Sequence, residues 1–103
     1  MGDAMDSTSQ LARDFAQRLR DVISESTQLG YTPANFEKML DEQGAVNLAK
    51  KLVKSGEIQT GLKAVANLKR KDLAVESIMI ESKFKSLFSA DELKAAAWRL
   101  EQV

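Results

Sequence analysis

The chain predicts an all-α fold, a compact orthogonal bundle of five or six short helices, and three observations carry that expectation. Apolar residues recur at helical spacing in several separate stretches, beginning with Leu11, Phe15, Leu19, Val22 and Ile23. Gly30, Gly44 and Gly56 cut the segment "LGYTPANFEKMLDEQGAVNLAKKLVKSG" into short pieces. The one stretch with strand character, "LAVESIMIES", has no second strand candidate to satisfy its backbone groups. Short helices are marginal alone, because nucleation costs more than a few hydrogen bonds return, so they must be held by packing. The glycines then serve as corners that turn several apolar stripes onto one core.

The length of 103 residues, with 44% hydrophobic and 29% charged residues, suits a single globular domain over 1–103. Folding at this size buries about 65% of the surface that the unfolded chain exposes, enough for a core without staples. Residues 1–8 are expected to form a disordered N-terminal tail.

Helix one is placed on the Leu11–Ile23 stripe, with Asp6 or Ser7 as cap and Gly30 closing the region through a positive φ. The polar "SESTQ" before Gly30 is expected to fray or turn. Thr32-Pro33 starts helix two, because the Thr hydroxyl can accept from a first-turn amide and Pro has no amide to lose there. Its face is Phe36, Met39 and Leu40, and Gly44 ends it. Val46, Ala49, Leu52 and Val53 form a third stripe ending near Ser55-Gly56, and Ile58, Leu62, Val65, Ala66 and Leu68 a fourth. "LAVESIMIES" is read as a helix from Leu73 to Glu81. Phe84, Leu87 and Phe88 form a connector that plugs the core, and "SADE" at Ser89–Glu92 is a capping box. Leu93, Ala96, Ala97 and Leu100 line the buried face of the last helix.

The order of Tyr31, Pro33, Phe36, Met39-Leu40, Gly44-Ala45-Val46, Gly61-Leu62, Asp72-Leu73, Val75-Glu76, Phe84, Leu87-Phe88 and Glu92 resembles a small bacterial helical domain of unknown function. That family occurs as a stand-alone protein and as an appendage to larger proteins, some of them nucleases. The resemblance covers about residues 29–100 and rests on fold-determining positions, so it implies a helical fold and no particular activity. Where the family tends to have Thr before the Val-Glu pair, this chain has Ala74, which removes an N-cap from the fifth helix.

Composition closes several chemistries. Cysteine and histidine are both absent, which excludes disulfides, thiol nucleophiles and the usual zinc ligands, and removes the side chain best suited to proton transfer near neutral pH. The start "MGDAMDSTSQ" has neither a basic run nor an apolar one, and Asp6 stands where a myristoylation signal needs Ser or Thr. No segment approaches the ~20 apolar residues of a membrane span. A cytoplasmic location is the expectation.

The formal net charge is zero but unevenly laid out. Residues 46–71 hold seven cations (Lys50, Lys51, Lys54, Lys63, Lys69, Arg70, Lys71) against Glu57, while both flanks are acidic. Such a basic middle attracts an acidic partner or is neutralised by the chain's own flanks. The acidic pairs Asp41-Glu42 and Asp91-Glu92 are local, and adjacent helical residues diverge by ~100°, so neither converges on one point. "KSGEIQTG" lacks the Gly-Lys-Ser/Thr ending of a phosphate loop.

"LAKKLVKSGEIQTGLKAVANLKRK" has the outline of a helix-turn-helix, with helices at about 45–54 and 58–70. Gln59, Lys63, Asn67 and Arg70 would face bases, and Lys50, Lys51, Lys54, Lys69 and Lys71 would lie near phosphates. Leu52 before the turn is bulkier than such a crossing favours, and Gly61 weakens the second helix. Tyr31 and Trp98 are further surface candidates, with Trp98 expected to pack at the core edge. The sequence therefore points to a non-catalytic protein-binding or adaptor module. Its contact surface would centre on Lys63, Lys69, Arg70 and Lys71, with an acidic protein or a like subunit as partner. Direct DNA binding through these nine residues is the alternative. No enzyme activity, cofactor, metal, membrane contact or small-molecule substrate is expected.

Overall fold

The computed structural model describes residues 3–31, 34–54 and 60–103, with only the backbone described for 3–9, 34, 60 and 61. Helix α1 spans Asp3–Gln28. It begins ahead of the expected caps, so Asp6 and Ser7 lie inside it, and residues 3–8 continue the helix where a tail was expected. At its other end "SEST" does not fray. Ser26 falls on the stripe of Phe15, Leu19, Val22 and Ile23 and is buried with them, since the helical repeat overrides the polarity of one small hydroxyl. The helix closes in a Schellman motif: the Tyr31 amide donates to the Ser26 carbonyl (2.9 Å), the Gly30 amide to that of Thr27 (3.1 Å), and Gly30 sits at φ 101°.

Helices α2 (Ala34–Gln43) and α3 (Ala45–Lys54) are separated by Gly44 alone. The Gly44 amide donates back to Leu40 (3.0 Å) and its carbonyl accepts from Leu48 (3.0 Å), so one residue at φ 82° closes one helix and opens the next. Only a residue without a Cβ adopts that conformation freely, which is why a one-residue corner is built here. Helix α4 spans Thr60–Asn67. The expected start at Thr32-Pro33 and the corner at Gly56 lie outside the described residues. After α4, the Arg70 amide donates to Val65 (2.8 Å) and the Lys69 amide to Ala66 (2.9 Å), a second Schellman closure with Lys69 in the left-handed position at φ 60°. Leu68, expected on the buried stripe, is left exposed in this turn.

The helix expected over Leu73–Glu81 is interrupted. A 3₁₀ turn at Lys71–Leu73 is followed by Ala74 in extended conformation (ψ 147°) and then by α5, Val75–Met79. Ala74 caps α5 with no side-chain hydrogen bond, as an alanine must. A second 3₁₀ turn at Lys85–Leu87 leads to α6, Ala90–Glu101, where the capping box forms in full: Ser89 Oγ accepts from the Glu92 amide (3.1 Å) and the Ser89 amide donates to Glu92 Oε1 (2.8 Å).

Among the described residues the six helices make a compact all-α bundle without a strand. Helix α3 is the hub, packed against α1, α2, α5 and α6. Phe15, Leu19, Leu48, Ala49, Ile78, Met79 and Ala96 are sealed from solvent. Phe84 and Phe88 do plug the core: both rings meet Phe15 edge-on, each with centroids 5.3 Å apart.

Two expectations for α6 are corrected. Ala97 is exposed, and Trp98 is 51% exposed and does not pack at the core edge. The helix is instead rotated so that Ala96 and Arg99 point inward, with Leu93 and Leu100 on either side. The cause is a buried ion pair between helices. Arg99 Nε donates to Glu76 Oε2 of α5 at 2.8 Å, with side chains 1% and 4% exposed. Burying either charge alone would cost several kcal/mol, so the two orient each other and α6 with them.

Candidate interaction surface

The basic middle segment divides into cations that turn inward and cations that do not. Lys50 leaves the inner edge of α3 and pairs with Glu92 of α6 (3.3 Å), its ammonium 5.9 Å from the centre of the Phe88 ring. Arg70 is held by two carboxylates. Its Nε and Nη2 donate to Asp72 (both 3.0 Å), and Nη2 also donates to Glu25 of α1 (2.9 Å). Lys71 Nζ donates to the Leu100 carbonyl at 3.3 Å, near the end of α6, where a cation complements the helix dipole.

Lys51, Lys54, Lys63, Asn67 and Lys69 are exposed. Asn47, Lys51 and Lys54 share the outer face of α3 by their spacing of four and three, and Lys63 and Asn67 share that of α4. No acid lies within α3 or α4. The ninth predicted contact, Gln59, lies outside the described residues.

The electrostatics follow these contacts. The Asp72 carboxyl is held below its usual value, chiefly by the Arg70 hydrogen bonds, and the Arg70 guanidinium is pushed further up by Asp72 and then Glu25. Glu92 is lowered first by the Ser89 amide and then by Lys50. Asp14 is lowered mainly by Gln10, with Lys83 adding to it.

The acidic pairs noted in the sequence do not form joint sites. Asp41 pairs with Arg20 (2.8 Å) and Glu42 is exposed, while Glu92 serves the capping box and Asp91 faces solvent. Among the described residues no cluster of three or more carboxylates could hold a metal, and no helix is long and apolar enough to cross a membrane. A shallow cleft of about 290 Å³ opens between α1 and the connector after α5. Four of its charges pair off, Arg18 with Glu81 at 3.3 Å and Lys83 with Asp14 at 3.4 Å, and Asp21 accepts from Gln17 at 2.9 Å.

Sequence reading missed two features here. Nothing in the pattern marked Glu76 and Arg99 as partners, because the signal is a contact between residues 23 positions apart. The exposure of Trp98 could have been suspected from its spacing, since Lys94, Trp98 and Glu101 fall on one side of α6. Set against known protein families, curated proteins and solved structures, the chain has no match.

Proposed function

We propose that this protein is a non-catalytic protein-binding module that receives an acidic partner on the outer faces of α3 and α4. The observation that carries this reading is the division of the basic segment. Lys51, Lys54, Lys63 and Lys69 remain exposed on consecutive elements, with no ion pair to any described acid, while Lys50, Arg70 and Lys71 are spent on holding the fold. Uncommitted lysines beside Asn47 on α3, and beside Asn67 on and just after α4, offer charge and hydrogen bonds to a carboxylate-rich protein. Arg70, the residue best suited to read guanine in the DNA-binding alternative, has its planar fork occupied by Asp72 and Glu25, which favours the protein partner.

The test reverses the four free lysines to Glu, which touches no buried group. Under this reading the wild type recovers an acidic protein from lysate at low salt, recovery falls as salt rises, and the reversed variant recovers none of it. Recovery that ignores the four reversals counts against the reading. A gel shift with random-sequence duplex at low salt that the same reversals abolish would favour nucleic acid instead.

A further inference from the structure

The outward side of α6 is a single stripe. Lys94, Ala97, Trp98 and Glu101 are all exposed, at spacings of three, four and seven, and lie opposite the buried Ala96 and Arg99. A tryptophan half in water at the middle of such a stripe leaves a large apolar surface uncovered on the solvent side of the helix. The charges on either side of it are opposite in sign, and neither Lys94 nor Glu101 forms an ion pair with a described residue.

The pattern is complementary to itself. When two copies of a helix pair antiparallel about a two-fold axis, residues whose numbers have a constant sum face each other. With the axis between Ala97 and Trp98, Lys94 of each copy meets Glu101 of the other, and the two Trp98 rings lie beside the axis within reach of one another. A like-charge register, Lys94 on Lys94 or Glu101 on Glu101, would need the axis moved to one of those residues, where the opposite charges no longer meet.

We propose that α6 is a self-association surface, through which a second copy of this chain docks antiparallel on the Lys94–Glu101 stripe. The single helical face is smaller than the ~800 Å² per partner of a standard interface, so the dimer is weak and reversible. The surface is separate from the basic faces of α3 and α4, so either can fail without the other.

Trp98 is the chain's one tryptophan, and its emission reports the contact directly. Sedimentation velocity from micromolar to millimolar protein should show a shift from monomer to dimer, accompanied by a blue shift of the Trp98 emission. Trp98→Ala should weaken the dimer at least tenfold. Lys94→Glu and Glu101→Lys should each weaken it several-fold, and the double variant K94E/E101K should restore it because the pair is then reversed. All three residues are exposed, and unchanged helical circular dichroism checks the fold of each variant. A monomer at every concentration overturns the proposal. So does a dimer indifferent to the single reversals, or one that the double reversal fails to restore.

Discussion

Lys69 holds a conformation that suits glycine. At φ 60° it occupies the position in the α4 closure that Gly30 occupies after α1, yet it carries a Cβ. A non-glycine residue there is disfavoured by roughly 1–2 kcal/mol. Lys69→Gly should therefore stabilise the protein, by about 1 kcal/mol after the added chain entropy of glycine is subtracted, as read from the urea midpoint at unchanged slope. Gly30→Ala should do the opposite by about 1 kcal/mol, and purely through the backbone, since nothing lies within 4 Å of the added Cβ. The buried Arg99–Glu76 pair sets a second test at this scale. Glu76→Ala or Arg99→Ala should each cost about 3–5 kcal/mol by breaking the buried pair, whereas Glu76→Leu with Arg99→Met should cost much less than the sum of Glu76→Leu and Arg99→Met alone. Urea denaturation of Glu76→Leu, Arg99→Met and their double variant closes that cycle, and the two alanine variants measure the cost of breaking the pair.

Among the elements, α6 is the most fully specified, with a capping box at its start, a dipole-complementing acid pair in its first turn and Arg99 in its last. Ser89→Ala should cost about 1 kcal/mol in thermal or urea unfolding. The same cap sets a pH dependence. Glu92, Asp72 and Asp14 all have folded-state values below the ordinary 4.5 or 3.8, so their contribution is fully present above those ordinary values. It is lost as pH falls through the lowered folded values. The urea midpoint should be level from neutral pH down to about 5 and decline below about 4.5, and Glu92→Gln should shrink that decline while lowering the midpoint at pH 7. The element boundaries that could be read in the sequence were those written in local chemistry: Gly44, Gly30 and Ser89-x-x-Glu92. The break at Ala74 is not written in capping chemistry, because Ala is compatible with both helix and extended backbone and supplies no side-chain cap.

For the molecule as a whole, α1 sets the shape. A 26-residue helix is about 39 Å long, and the largest extent of the protein is 45 Å. Helices α2, α3 and α5 and both 3₁₀ turns pack against it, and Phe15 touches Phe84 and Phe88 from the far end of the sequence. Phe15→Ala should cost about 3–5 kcal/mol, a large share of the net stability of a small domain, and Phe15→Leu distinctly less because more of the volume is kept. Comparative urea unfolding of the two variants measures it. That interlocking of sequence-distant rings was anticipated only in outline, since the sequence showed that the Phe84–Phe88 connector was apolar but not what it would meet.

Local pattern by itself determined the fold class, the corners at Gly30 and Gly44, the capping of α6 and most apolar stripes, because helical periodicity, positive-φ demand and capping are interactions among near neighbours. Tertiary structure alone decided which of seven middle-segment cations stay free of described acids, and the burial of Glu76 against Arg99. Those outcomes depend on which oppositely charged side chain lies across a helix contact, and a charge's partner is set by the packing of distant segments.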